Sequence, residues 1–353
     1  MSFLNDLSKE FTNANILDEG GNSSEFSGSI DTGSYIMNAV LSGSLYGGVP
    51  NNKITAFAGE SATGKTFFVL GVLKAFLDKN PDDGVVIYFD TEAAVTKKMM
   101  EDRGINTKKV LIVEPQSIEE FRTEAVKVLD KYLDSEDQPP MMMVLDSLGM
   151  LSSEKELEDT AKGENKRDMT KAQLLRGTFR VLSLKLAKAN VPLLVTNHVY
   201  DVVGAYVPTK EISGGSGLKY AASSICMLSK KKDRDGNKDV IGNIIKVGMH
   251  KSRFTKENKV VEVKLSFDSG LDRYYGLLDL AEKYDIIKKV STRYELPDGT
   301  KVFGKAINEN PEKYFTDEIL KQLEEAANKE FMYGQIGVDE QQGVEDASEI
   351  STD

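Results

Sequence analysis

The chain has 353 residues, 40% hydrophobic and 29% charged, a composition typical of a folded protein of about two domains and not of a disordered or collagen-like chain. No apolar run is long enough to span a membrane, and no basic leader precedes an apolar segment. The single cysteine, Cys226, excludes an internal disulfide, so we expect a soluble protein of a reducing, intracellular compartment.

The net charge of −11 is unevenly distributed along the chain. Seven acidic residues and no Lys or Arg lie between Glu330 and Asp353, which leaves the rest of the chain much closer to neutral. Such a composition predicts an acidic, disordered tail over residues 331–353. The overall charge therefore does not exclude nucleic acid as a partner.

In chain order, residues 1–30 are polar with few apolar anchors and are predicted to form an arm. From about Tyr35, apolar strands alternate with helical segments, which predicts an α/β fold with a mostly parallel central sheet. The predicted strands are 54–58, 85–89, 110–113, 141–145 and 193–196. The predicted helices are 65–78, 118–133 and 169–189.

After residue 222 the pattern changes to that of hairpin strands, predicted at 224–228, 244–247 and 260–267. A smaller helical region begins at about 276 and includes a predicted helix over 315–328. We therefore expect a core domain over 31–270 and a small C-terminal α/β domain over 271–330.

Residues 59–66 match the phosphate-binding pattern G-x-x-x-x-G-K-[ST] between a predicted strand and a predicted helix. Glycines let the backbone wrap a phosphate, so that successive N–H groups and the helix N-terminus face the anion. Lys65 would reach the β- and γ-phosphates, and the Thr66 hydroxyl would ligate Mg²⁺. The sequence thus predicts a nucleoside triphosphate site formed by Gly59, Glu60, Ser61, Ala62, Thr63, Gly64, Lys65 and Thr66.

Polar side chains follow three other predicted strands. Asp146 is the predicted carboxylate partner of Mg²⁺, because parallel sheets place ligands at the carboxyl ends of strands. Glu92 is the candidate base that orients or deprotonates water, with Asp90 as the alternative or as a second carboxylate near Mg²⁺. His198 is a candidate sensor of the γ-phosphate. The alternative for Asp90 and Glu92 is that both only cap the following helix.

The ordered set of motifs resembles the RecA-type recombinases, and most closely their UvsX-type phage branch. The resemblance covers roughly residues 31–330 and implies the RecA-type core, ATP and Mg²⁺ as cofactors, and a cytoplasmic location, in the host cell if a phage encodes the chain. The matching segments are 47–50, 59–66, 88–92, 144–149, 196–198, 214–217, 250–253, 276–281 and 305–310.

The resemblance implies two DNA-binding loops, at about 153–169 and 199–213. The first contains Lys166 and Arg167, although its mixed charges also suit a solvated helix. The second contains Tyr206, whose ring suits the bases of single-stranded DNA, and Lys210, whose charge suits the backbone phosphates. The implied DNA contacts continue through Gly214, Gly215, Ser216 and Gly217.

Subunit contacts are also implied by the resemblance. Lys251 and Arg253 match a basic pair that reaches the ATP of the neighbouring subunit, so hydrolysis would need a filament. Phe11 and Ala14 match a Phe-x-x-Ala docking motif of the arm. Phe267 matches a position near the nucleotide base, whereas Met99 stands where the family often has an aromatic.

The function implied is an ATP-dependent recombinase that forms a helical filament on single-stranded DNA and exchanges strands with a homologous duplex. Its implied partners are single- and double-stranded DNA, further copies of itself, a single-strand-binding protein and a loading mediator, and no membrane. The alternatives are a ring-forming helicase of the same fold and a regulatory paralogue that scarcely hydrolyses ATP.

Overall fold

The computed structural model describes residues 6–7, 9–10, 28–164, 168–201, 210–234, 238–266 and 270–334. The predicted acidic tail beyond residue 334 and most of the predicted arm lie outside the described residues. So do six predicted site residues, namely Phe11, Ala14, Lys166, Arg167, Tyr206 and Phe267. None of the helices in the described ranges is long and apolar enough to cross a lipid bilayer.

Strands and helices alternate through the first two thirds of the chain. The strands are β1 (Ser29–Ile30), β2 (Val49–Pro50), β3 (Ile54–Gly59), β4 (Val85–Asp90), β5 (Val110–Val113), β6 (Met141–Asp146), β7 (Leu193–Asp201), β8 (Lys210–Ile212), β9 (Ser224–Arg234), β10 (Val240–Ser252), β11 (Val260–Ser266), β12 (Gly270–Leu271), β13 (Lys288–Val290), β14 (Arg293–Glu295) and β15 (Lys301–Val302). The helices are α1 (Tyr35–Ser42), α2 (Lys65–Lys79), α3 (Lys97–Glu101), α4 (Ile118–Leu133), α5 (Glu154–Ala161), α6 (Lys171–Ala189), α7 (Ser216–Ala221), α8 (Leu277–Lys283), α9 (Gly304–Glu309), α10 (Pro311–Tyr314) and α11 (Asp317–Phe331).

The central sheet has the strand order β12-β11-β10-β9-β3-β7-β6-β4-β5, with β8 paired to the end of β7. The six strands from β9 to β5 run parallel, and the strands from β9 to β12 form antiparallel pairs. The predicted α/β fold with a mostly parallel sheet is therefore confirmed.

Helices cover both faces of the sheet, as a parallel sheet requires. One apolar core lies between the sheet and α1, α2 and the C-terminal helices. The other lies between the sheet and α4, α6 and α7. Strands β3, β4 and β6 are buried along nearly their whole length, which explains why they read as continuous apolar runs in the sequence.

Most predicted elements are found, and the differences follow from local chemistry. Strands β9 and β10 are longer than predicted because polar residues outside the predicted ranges, such as Lys230 and Lys231, extend the β9–β10 ladder. The segment 153–169, predicted as a loop, contains helix α5. Ser153 and Glu156 form a reciprocal capping box at its start, so the alternative of a charged, solvated helix is correct for residues 154–161.

The C-terminal region shares a core with the large sheet. The helix α11 packs against α1 and α8, and its apolar side chains belong to the core that includes α2. The buried carboxylate of Glu330 joins these parts, because Lys259 and Lys283 donate to it at 2.7 and 2.8 Å and the Tyr284 hydroxyl donates at 3.0 Å. Burial alone would raise the pKa of Glu330, but these hydrogen bonds lower it to about 2.

Replacing Glu330 by Gln should lower the free energy of unfolding by about 1–3 kcal/mol, because the partly buried ammonium group of Lys259 and the more exposed one of Lys283 lose their counter-charge. The pKa of Glu330 is lower in the folded chain than its ordinary 4.5, so its contribution is present above about pH 4.5 and is lost as the pH falls towards 2. Urea unfolding at pH 7 and pH 3 measures both effects. Exposed Glu325, on the same helix, provides the Glu→Gln control, and equal losses in the two variants would contradict the prediction.

Candidate functional site: a nucleotide cleft

Four adjacent strands, β3, β7, β6 and β4, end at one edge of the sheet. Gly59 lies opposite His198 in the β3–β7 pair, and Asp90 lies opposite Asp146 in the β4–β6 pair. The phosphate loop and the three polar strand ends predicted from the sequence are therefore brought together. Such an edge is where doubly wound sheets bind ligands.

The loop after β3 has the backbone geometry of an anion cradle. A side chain at Gly59 would lie 2.7 Å from the carbonyl oxygen of Leu228, and Gly64 has a φ of 90°, so both positions favour glycine. Helix α2 begins at Lys65, with its N-terminus facing the loop. Successive N–H groups and the helix dipole there suit phosphate.

The side chain of Lys65 is held by backbone carbonyl groups of the phosphate loop. Its Nζ donates to the carbonyl oxygens of Gly59 at 3.1 Å and Glu60 at 2.9 Å. Burial lowers the pKa of Lys65, while the carboxylates of Glu92 and Asp146 oppose that shift. Nearby carboxylates thus help to keep the ammonium charged where phosphate would be held.

Glu92 is positioned by two side chains, that of Ser147 directly after β6 and that of His198 on β7. The Ser147 hydroxyl donates to its Oε1 at 2.7 Å, and His198 Nε2 lies 3.0 Å from the same oxygen. Burial alone would raise the pKa of Glu92, but the hydrogen bonds from Ser147 and His198 lower it. Glu92 is therefore ionised at neutral pH and can accept a proton from water.

His198 connects Glu92 to Lys65. An ionised Glu92 only accepts, so His198 Nε2 carries the proton in this contact. The other ring nitrogen, Nδ1, lies 3.5 Å from Lys65 Nζ. His198 thus lies between the phosphate-loop lysine and the candidate base, at the predicted position for sensing the γ-phosphate.

Asp90 has a different task from Glu92. Its two carboxylate oxygens accept the backbone N–H groups of Glu92 at 3.0 Å and Val95 at 3.1 Å. Among the described residues that line the cleft, Glu92 is present and Asp90 is not. The geometry therefore favours Glu92 as the base, while Asp90 holds the turn after β4. Neither carboxylate caps the following helix α3, because the Thr96 hydroxyl accepts the Met99 N–H there at 3.1 Å.

Asp146 is 3% exposed and, like Asp90, is not among the described residues that line the cleft. It is fixed by two side chains that the sequence analysis missed. The Tyr88 hydroxyl donates to its Oδ2 at 2.7 Å, and the Thr196 hydroxyl donates to its Oδ1. Both partners lie on neighbouring strands, and only the strand order reveals that they meet. Thr91 also contacts the residue that follows β6, because its hydroxyl donates to the Ser147 carbonyl oxygen at 2.7 Å.

The donor set at this edge fits Mg²⁺. The Thr66 hydroxyl and the Asp146 carboxylate supply hard oxygen atoms, which Mg²⁺ prefers together with phosphate and water oxygens. In the described ranges, no group of three or more His, Cys, Asp or Glu side chains could hold a metal ion by itself. A Mg²⁺ site in which phosphate oxygens of a bound nucleotide complete the ligands agrees with the two protein oxygen donors and with the lack of a larger ligand cluster in these ranges.

Replacing Tyr88 by Phe should raise the Mg²⁺ concentration needed for half-maximal ATP hydrolysis by about 10-fold or more, because groups that orient a metal-binding carboxylate contribute about 10- to 100-fold to metal affinity. A Mg²⁺ titration at saturating ATP measures the shift. Tyr132 donates its hydroxyl to the Pro139 carbonyl at 2.9 Å, away from the cleft, so Tyr132→Phe is the matched control. An unchanged Mg²⁺ requirement in Tyr88→Phe would contradict the role given to this hydroxyl.

The loop and strand ends open into a cleft of about 1110 Å³. Besides predicted residues, the cleft is lined by side chains that sequence reasoning did not identify, because they lie outside the recognised motifs. They include Phe67 on α2, Arg103 after α3, and Lys230 and Lys232 on β9. Lys230 also donates to the carbonyl oxygen of Ala62, which ties β9 to the phosphate loop.

The predicted second DNA loop begins and ends in paired strands. Val199 to Asp201 of β7 pair with Lys210 to Ile212 of β8, directly after His198. Lys210 forms an ion pair with Glu60 of the phosphate loop. The stem of this loop is thus in contact with two parts of the nucleotide site.

The glycine-rich element after β8 divides into two parts. Gly214 and Gly215 have φ values of 82° and 69°, as a backbone cradle requires, and Ser216 begins α7. Gly217 is buried, and a side chain there would lie 2.9 Å from the backbone nitrogen of Arg176 on α6. This glycine permits the close packing of α7 on α6, which explains its presence without DNA, and a contact of Gly217 with DNA stays a prediction.

Lys251 and Arg253 lie at the other end of α7. Lys251 Nζ donates to the carbonyl oxygens of Lys219 at 2.6 Å and Ala222 at 2.7 Å, and Arg253 donates to that of Tyr220 at 3.1 Å. Neither cation is among the described residues that line the cleft of its own chain. The structure therefore does not bring this pair together with the other predicted catalytic residues.

The sheet, the phosphate loop and the carboxylates at the strand ends define a P-loop nucleotide-binding protein. Comparison with known proteins gives the family: the RecA N-terminal domain matches residues 1–272, so the chain belongs to the RecA family. It is 30% identical to the "Recombination and repair protein" of Enterobacteria phage T4 over 254 residues, which are 72% of this chain and 63% of the phage protein. It is 27% identical to "Protein RecA" of Campylobacter jejuni over 336 residues, 93% of each chain.

Proposed function

We propose that this protein is an ATP-dependent DNA recombinase. It forms a helical filament on single-stranded DNA and catalyses homologous pairing and strand exchange in recombination, repair and recombination-dependent replication. Family membership supports this class of activity. Base pairing would select the homologous strand, while the protein holds the backbone phosphates.

The observation that carries the proposal is the connection between the nucleotide cleft and the strand pair β7–β8. His198 contacts Lys65 and Glu92, and the segment predicted to bind DNA begins at the next residue. On the return strand, Lys210 pairs with Glu60. Hydrolysis or release of the γ-phosphate would therefore alter contacts at both ends of the segment predicted to bind DNA.

The residues of the cleft divide the work of ATP hydrolysis among them. Bound Mg²⁺ would supply positive charge to the phosphate oxygens, with Thr66 and Asp146 as its protein ligands. Lys65 and the loop N–H groups hold the phosphates, and Glu92 orients and deprotonates the attacking water. Lys251 and Arg253 would act on the ATP of a neighbouring subunit, which makes hydrolysis dependent on the filament.

The test is ATP hydrolysis and strand exchange measured with and without single-stranded DNA. We expect DNA to stimulate hydrolysis strongly and the Lys65→Ala variant to lose hydrolysis and exchange. Turnover that ignores DNA, or closed rings without filaments in electron micrographs, would contradict the proposal. Binding to a single-strand-binding protein and to a loading mediator stays a prediction from the resemblance.

A further inference from the structure

One wall of the nucleotide cleft is formed by a stacked pair that none of the roles above uses. The guanidinium of Arg103 lies over the ring of Phe67, with its carbon atom 4.3 Å from the ring centroid. Phe67 follows Thr66 directly on α2, and both Phe67 and Arg103 line the cleft. The pair therefore stands immediately beside the residues that would hold phosphate and Mg²⁺.

Arg103 is fixed in this position by the backbone. Its Nη1 donates to the carbonyl oxygen of Met99 at 2.7 Å, one turn earlier in the chain. In the part of the chain that the structure describes, Arg103 forms no ion pair with a carboxylate. A salt bridge thus does not account for its placement, and the hydrogen bond to Met99 holds the guanidinium plane near the cleft.

The chemistry of the pair suits a flat, uncharged ring. Guanidinium planes and aromatic rings both stack on nucleobases, and such contacts tolerate any base because every base has a π-face. A triphosphate held by the loop at Lys65 leaves its nucleoside to extend into the rest of the cleft. Phe67 is 37% exposed and offers apolar surface for that contact.

We propose that Arg103 and Phe67 together form the stacking surface for the base of the bound nucleotide. The inference rests on the proposed binding of ATP and names the residues that recognise the nucleoside part. Met99 then contributes its backbone carbonyl to hold Arg103, while its side chain packs against the core. Stacking by this pair does not select one base, so the binding of ATP and of GTP should depend on it alike.

The test compares a ligand that has a base with one that has none. Isothermal titration with Mg²⁺ gives the Kd of ATP and of inorganic tripolyphosphate for the unchanged chain, Arg103→Ala, Arg103→Lys and Phe67→Leu. We expect Arg103→Ala to weaken ATP binding by about 5- to 30-fold and tripolyphosphate binding by less than about 2-fold. Phe67→Leu retains apolar volume without the ring and should weaken ATP selectively as well.

Two variants serve as controls. Arg103→Lys keeps the charge but not the plane, and it should show most of the loss for ATP. Arg180→Ala removes an exposed arginine of α6 that is outside the described cleft lining, and it should bind both ligands normally. Thermal melting of each variant checks that the fold is retained.

The outcomes separate this proposal from the one on which it rests. Equal weakening of ATP and tripolyphosphate in Arg103→Ala would overturn the stacking role, because it would show that the arginine acts through its charge on phosphate. Unchanged ATP binding in both Arg103→Ala and Phe67→Leu would overturn it too. Two other results would instead contradict nucleotide binding by the phosphate loop. One is that the unchanged chain binds neither ligand, and the other is that the Lys65→Ala variant binds both ligands as tightly as the unchanged chain does.

Discussion

Replacing Glu92 by Gln should lower the rate of ATP hydrolysis by about 10²–10⁴-fold, the usual contribution of a positioned general base. The amide still accepts the hydrogen bond from Ser147 but cannot take a proton from water. ATP binding should be retained or become slightly tighter, because a negative charge is removed from beside the phosphates. Single-turnover hydrolysis and ATP titration separate the two effects.

The matched control is Glu114→Gln. Glu114 follows β5 at the same edge of the sheet, yet it is exposed and is not among the described residues lining the cleft. It should hydrolyse ATP at the rate of the unchanged chain. If Glu92→Gln retained that rate as well, the base would have to be another group, and the hydrogen bonds from Ser147 and His198 would be only structural.

The predicted part of the site depends on one rule of parallel sheets. Gly59, Asp90, Asp146 and His198 each follow an apolar strand, and the carboxyl ends of parallel strands meet at one edge. Their convergence could therefore be inferred before the strand order was known. The phosphate loop could be predicted without any knowledge of the sheet, because its residues are contiguous and their types determine the local backbone geometry.

The supporting contacts could not be inferred in the same way. In the sequence, Tyr88 is indistinguishable from the other buried residues of its strand. Its hydroxyl contacts Asp146 only because β6 lies beside β4. The contact of Arg103 with Phe67 joins residues 36 positions apart, with no shared motif. Such pairs depend on strand order and helix packing, which composition and periodicity do not encode.

Two differences show how a motif can mislead about its individual residues. Gly217 belongs to a glycine-rich surface element in the sequence, but it is buried where α7 crosses the backbone of Arg176. Residues 154–161 have the mixed charge of a mobile segment, but Ser153 and Glu156 start a helix there. In both cases a specific backbone contact decides the structure, while the overall composition would allow either reading.

The last prediction concerns Lys251, for which the chain itself offers a purely structural explanation. Its ammonium group satisfies carbonyl oxygens at the C-terminal end of α7, as a helix-capping lysine would. If it also acts on the ATP of a neighbouring subunit, Lys251→Ala should lower DNA-stimulated hydrolysis by about 10²–10³-fold, the loss typical for one group that stabilises transition-state charge. The rate per subunit with single-stranded DNA measures this loss.

Lys256→Ala separates capping from catalysis, because Lys256 Nζ donates to the carbonyl oxygen of Lys329 near the end of α11 in the same manner. This control should lose some stability and little hydrolysis. A sharper result comes from mixing the inactive Lys251→Ala and Lys65→Ala chains on DNA. In a random equal mixture, about one interface in four would join an intact phosphate loop to an intact Lys251, so hydrolysis should reappear. A mixture that assembles on DNA but stays inactive would show that Lys251 does not act across the interface, which would leave Arg253 as the remaining candidate for that role.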